Sequence, residues 1–89
     1  MTLPVRSAEV RSIAVEGFRR HGAILRRDFD LTESALIDEG RCVAWSYRLR
    51  DLMAMWLIEV GILQFYDAQG NMLETVDILE QPQIRRAAA

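Results

Sequence analysis

Lysine is missing altogether: all eleven basic side chains of this 89-residue chain are arginines. Cysteine and histidine occur once each, and the longest uninterrupted apolar stretch is seven residues, Leu52 to Ile58. Each scarcity excludes something. A single Cys excludes an internal disulfide, and one Cys with one His excludes the usual structural zinc site. No apolar run comes near the roughly 20 residues of a membrane-spanning helix, and Met1 to Pro4 leads directly into charged residues rather than into an apolar leader. The lack of Lys reads most simply as the codon bias of a GC-rich genome, a bacterial-type composition, rather than as selection for guanidinium chemistry. These features predict a cytoplasmic protein with no membrane association, no metal and no cofactor.

What is present is ordinary for a globular chain, 51% hydrophobic and 27% charged. The net charge of -2 and the pI near 5.3 do not describe a general nucleic-acid or membrane-surface binder. A chain of this length forms one domain and buries only about 60 to 65% of the surface it exposes when unfolded. Its apolar share is high for so small a monomer, which points to self-association.

The seven-residue run is the stretch around which the chain is organised. It is richer in Leu, Met and Ala than in β-branched residues, Asp51 can cap it at the N-terminus, and Gly61 stands where a left-handed C-cap belongs. This predicts a short buried helix from Asp51 to Val60. At about 100° per residue, Met53, Trp56, Leu57 and Val60 share one face and leave Leu52, Met55 and Ile58 as surplus apolar surface. A strand running through the same residues is the rival assignment, with Gly61 as a bulge.

Elsewhere the pattern is more regular. Residues 1 to 6 read as a loose arm, and Ser7 caps an amphipathic helix whose stripe is Val10, Ile13, Ala14, Gly17 and Phe18 and whose end is Gly22. Gly17 costs up to about 1 kcal/mol in a helix, a penalty offset if the helix backbone approaches a sheet there. From Ala23 to Leu31 alternation suggests a strand, with Arg27 out of phase. A second strand through Ala35, Leu36 and Ile37 turns at Asp38 to Arg41 and returns through Cys42 to Leu49. On that returning strand Val43, Trp45, Tyr47 and Leu49 make a large apolar face, whereas Cys42, Ala44 and Ser46 make a small one on which a helix could lie close, with Gly17 as the matching contact. Ile62 to Tyr66 and Met72 to Leu79 form a hairpin whose three-residue loop puts Gly70 in the left-handed region and pairs Asp67 with Asn71, Tyr66 with Met72 and Phe65 with Leu73. The domain spans residues 7 to 80, and residues 81 to 89 read as a disordered tail.

Reactive constellations are few. Arg19, Arg20, His21, Arg26 and Arg27 form the densest positive window, a candidate anion or nucleic-acid patch with Phe18 and Phe29 at its borders. Arg19, Arg20 and His21 also fall in the last turn of the first helix, where cations favour the macrodipole and the helix end repels phosphate. Cys42 with His21 is the one possible nucleophile and base pair, though a Cys among Val and Ala behaves as a small hydrophobe. Asp28 and Asp30 resemble a calcium-loop opening, but Glu33 stands where that loop needs Gly.

The expected fold is α+β in a single small domain: helix, three antiparallel strands, short buried helix and C-terminal β-hairpin. The expected function is a non-catalytic protein-interaction or self-associating module. A homodimer would form through Leu52, Met55 and Ile58. The alternative is a small nucleic-acid-binding regulator using the Arg window, and the third reading is an enzyme built on Cys42 and His21.

Overall fold

The computed structural model describes residues 7–24, 26, 30–82 and 84. One helix, α1 (Ser7–Arg20), precedes five strands, β1 (Thr32–Asp38), β2 (Arg41–Leu49), β3 (Leu52–Leu57), β4 (Ile62–Tyr66) and β5 (Met72–Asp77). The strands form one antiparallel sheet in chain order, each paired with the next, so every connection is a hairpin. The protein is thus a small α+β domain with α1 laid across one face of the sheet.

The stripe read from the sequence is the buried face of α1: Val10, Ile13, Ala14 and Phe18 are each 0 to 1% exposed. The helix stops in a Schellman motif. Gly22 is left-handed (φ +94°), its N–H donates to Arg19 O, and the Ala23 N–H donates to Phe18 O at 2.9 Å. Gly17 lies against the ring of Phe65, and a Cβ at Gly17 would stand 2.1 Å from Phe65 Cζ. Phe18 meets the same ring edge-on, with centroids 5.5 Å apart. The close approach expected at Gly17 therefore occurs, but on β4. The helix covers the large apolar face of β2, with Tyr47 and Leu49 in the core, and the small face of Ala44 and Ser46 points the other way.

The expected helix from Asp51 to Val60 is absent, because Leu52–Leu57 is the central strand β3. The physical reason is cross-strand pairing. Leu52 lies opposite Leu49, Ala54 opposite Tyr47 and Trp56 opposite Trp45, an apolar ladder on the helix side. Leu, Met and Ala favour helix by only tenths of a kcal/mol per residue, which a sheet with partners on both sides outweighs. Gly61 (φ +78°) belongs to the β3–β4 turn, where its N–H donates to Leu57 O.

The sheet gains β3, and of the expected first strand the described residues Ala23, Ile24, Arg26, Asp30 and Leu31 are not in a strand; Leu25, Arg27, Asp28 and Phe29 lie outside the described residues. The β1–β2 turn places both Glu39 (φ 51°) and Gly40 (φ +78°) in the left-handed region, as a two-residue primed turn requires. The β4–β5 loop is as read: Gly70 (φ +83°) donates to Asp67 O, and Tyr66 pairs with Met72. Phe65, however, pairs with Glu74, because a bulge takes up Leu73. Past β5 a single 3₁₀ turn, Ile78–Glu80, is capped by Asp77, which accepts from the Leu79 N–H. Ile78 and Ile84 close the core at 0 and 1% exposure, so the loose tail expected from Gln81 does not describe Ile84.

Candidate functional site

The register gives the side of the sheet away from α1 in three rows. At one end stand Thr32, Arg48, Met53, Tyr66 and Met72, in order from β1 to β5. The middle row is Ser34, Ser46, Met55, Gln64 and Thr75. The third is Leu36, Ala44, Leu57, Ile62 and Asp77. No described element lies over this face. Met53, Met55, Leu57, Ile62 and Tyr66 are only half-buried, and Leu36 and Met72 are 56 and 57% exposed.

Its relief follows from residue size. Met53, Met55 and Leu57 stand up as a ridge along β3, and beside them β2 offers Ser46 and Ala44, the latter a floor at 3% exposure. Arg48 lies along the end of this ridge, its Nη2 3.7 Å from Met53 Sδ. Tyr66 donates its hydroxyl to Gln64 Oε1 at 2.7 Å within the face. The result is a mixed surface in which the Met53, Met55 and Leu57 ridge, with Leu36, Ile62, Tyr66 and Met72, is apolar, Ser34, Ser46, Gln64 and Thr75 are neutral and polar, and Arg48 and Asp77 carry formal charges at the ends.

The trio expected at an interface is divided by this geometry. Met55 is central to the open face, whereas Leu52 and Ile58 pack against the core on the helix side. Sequence reasoning missed Met53, Leu57, Ile62 and Tyr66, because helical spacing places Met53 and Leu57 among the covered residues. Read at a period of two, the same letters put Met53, Met55 and Leu57 together.

The positive window is partly neutralised. Arg20 makes a two-oxygen ion pair with Glu74 (both 3.1 Å), and His21 Nε2 lies 2.9 Å from Glu74 Oε1. Burial alone would push the Glu74 carboxyl up, but the hydrogen bonds from His21 and Arg20 outweigh it and hold the group below its ordinary value. Arg19 and Arg26 are exposed at the surface, and Arg27 lies outside the described residues. A carboxylate at the centre of the window works against phosphate.

Cys42 and His21 are not brought together. His21 lines a small hollow of about 250 Å³ with Leu49 and Leu52, at the far end of β2 from Cys42. Cys42 and Leu49 are seven residue steps apart along the strand, roughly 23 Å at about 3.3 Å each. Cys42 is exposed and donates its thiol to Ala44 O at 3.3 Å. Among the described residues no three His, Cys, Asp or Glu side chains are placed to hold a metal ion.

Two further polar features were not legible in the sequence. Under α1, Glu33 accepts from Trp45 Nε1 at 3.0 Å and from Arg11 Nη2, beside a fully buried Tyr47 whose hydroxyl has no partner among the described residues. Burial, with the charge of Glu33 adding and that of Arg11 opposing, pushes the Tyr47 phenol well up. At the opposite end, a cleft of about 460 Å³ between the β2–β3 and β4–β5 turns is lined by Arg48, Arg50, Asp51, Tyr66 and Asp67. The backbone N–H of Asn71 above all, opposed by slight desolvation and helped by the Asn71 side chain, holds the Asp67 carboxyl low. Arg and Asp alternate around this cleft, so its charges offset one another and select no ion.

Comparison of the chain with family models, curated proteins and solved structures returns no match. No helix of the described residues is long and apolar enough to cross a membrane.

Proposed function

We propose that the protein is a non-catalytic, self-associating interaction module that docks through the open face of its sheet. The observation carrying this reading is the asymmetry of one sheet: α1 covers one side, and the other presents Met53, Met55, Leu57, Ile62 and Tyr66 to solvent. Methionine suits such a surface, since its unbranched, polarizable side chain adapts to a partner's shape. A reducing compartment suits the exposed Cys42 thiol.

Adjacent residues test the reading. In dilute solution, Met55→Glu is expected to cost about 1 kcal/mol or less, with a cooperative urea transition followed through Trp45 and Trp56. Ala54→Glu places a charge at a site 0% exposed and is expected to abolish folding. If Met55→Glu unfolds the dilute chain as Ala54→Glu does, the face is part of the monomer's own core and the docking reading is wrong.

A further inference from the structure

The rows of the open face contain more than an apolar patch, because they match themselves. Consider a two-fold axis lying in the plane of contact, parallel to the strands and midway between β2 and β3. It sets β3 of one copy over β2 of the other and β4 over β1, and leaves β5 outside the overlap. The β3 ridge then lies along β2 of its partner, with Leu57 over Ala44, Met55 over Ser46 and Met53 over Arg48 in register. On the flanks Ile62 lies over Leu36 and Gln64 over Ser34, so apolar meets apolar and polar meets polar. Tyr66 meets Thr32 in the end row. Asp77, on β5, falls outside the overlap, where its carboxylate already caps Leu79.

We infer that the occupant of this face is a second copy of the chain, packed sheet on sheet about that axis; the inference rests on the docking reading above and deepens it. Size supports it. The four overlapping strands at about 4.8 Å and six residues at about 3.3 Å give a footprint of roughly 19 by 20 Å. Side-chain relief raises the accessible area above that footprint, toward the roughly 600 Å² per partner at the small end of specific interfaces. Shape supports it as well, because a two-fold contact must be self-complementary. A strand of large side chains beside one whose Ala44 and Ser46 are small satisfies that condition, whereas a uniform dome does not. Aligned sheets in contact cross at about 30°, which leaves the central row closest to register.

The axis fixes how far each middle-row residue stands from its own copy. Measured across the strands, the separation is about 5 Å for Ser46 and Met55, about 14 Å for Ser34 and Gln64, and about 24 Å for Thr75. Single-cysteine chains at these five positions, on a Cys42→Ser background, read that ladder directly when treated with a short bismaleimide. Ser46→Cys and Met55→Cys are expected to yield covalent dimer, Ser34→Cys and Gln64→Cys far less, and Thr75→Cys none. Light scattering of the unmodified chain at micromolar concentration is expected to give twice 10.2 kDa, and Met55→Glu to weaken the association at least tenfold. A mass of one chain, or linking that peaks at Gln64→Cys or Thr75→Cys, overturns the inference even if Met55→Glu keeps its fold. The docking reading itself falls only if Met55→Glu unfolds the dilute chain.

Discussion

The two faces of β3 are built from consecutive residues and serve opposite ends. Ala54 and Trp56 point toward α1 and are 0 and 7% exposed, while Met53, Met55 and Leu57 point away and remain half-buried. The covered face is interlocked: Gly17 admits Phe65, Phe18 meets that ring edge-on, and Ala54 leaves room beside Tyr47. Such a fit tolerates little change in volume. The open face has no counterpart within the described chain, and it is made of side chains that repack easily. A single apolar run can therefore encode a core face and an open face at once, with alternation deciding which residue goes where.

Phe65 and Tyr66 break that comparison most sharply, because they are neighbours on opposite sides. Phe65→Ala is expected to destabilise the protein by about 3 to 5 kcal/mol, the loss of a fully buried ring and its packing. Tyr66→Ala, with its hydroxyl partner Gln64 still free to reach water, is expected to cost about 1 kcal/mol in the dilute chain. Urea unfolding measures both. Equal costs would mean that the two faces are equally part of the monomer's core.

How much of this was legible depends on whether a local signal existed. The α1 stripe and its end at Gly22 could be read because period and cap agree, and the Asp38–Arg41 and Gly70 turns because their residues suit left-handed backbone. β3 could not, because a strand apolar on both faces shows no alternation, and its Leu, Met and Ala point weakly to helix. That one misassignment moved Leu52 and Ile58 to the candidate interface and hid Met53 and Leu57. The bulge at Leu73 is set by pairing with β4, not by its own letters. Ile84, alone beyond Pro82, has no periodic neighbours to announce its burial. Glu74 lies 54 residues from Arg20 and 53 from His21, so only tertiary structure makes them partners.

That cluster supplies a smaller contrast, since Glu74 belongs to the covered side of β5 yet keeps a charge. A carboxyl held low in the folded chain stabilises it at pH above the group's ordinary value, and the contribution disappears as pH falls through the folded value. Near pH 7 the parent chain is expected to exceed Glu74→Gln by about 0.5 to 1 kcal/mol, modest because Arg20 is half exposed. The difference should shrink as pH falls below 4.5, the ordinary value for this group. Urea midpoints of the two chains from pH 7 to pH 3 measure it. A difference that stayed constant across that range would mean that the ion pairs contribute nothing and that Gln merely packs less well.

Arg48 gives the smallest effect on the monomer and the finest test of how the open face is used. It sits in an end row beside Met53, and the covered side of the same strand carries the fully buried Leu49. In the dilute chain Arg48→Met should shift stability by no more than about 0.5 kcal/mol, because the guanidinium is at the surface. In the proposed two-fold assembly Arg48 and its copy lie on adjacent tracks about 5 Å apart across the strands, so their charges repel even as their stems cover Met53. Arg48→Met removes that repulsion and adds apolar surface, and the dissociation constant is expected to fall several-fold. Salt separates the two contributions. Near 0.01 M ionic strength the charges are felt over about 30 Å, and at 1 M over about 3 Å. The advantage of Arg48→Met over the parent should therefore be largest in low salt and shrink as salt is added, when both are followed by light scattering or sedimentation. An advantage independent of salt would place the two arginines far apart and the axis somewhere other than between β2 and β3.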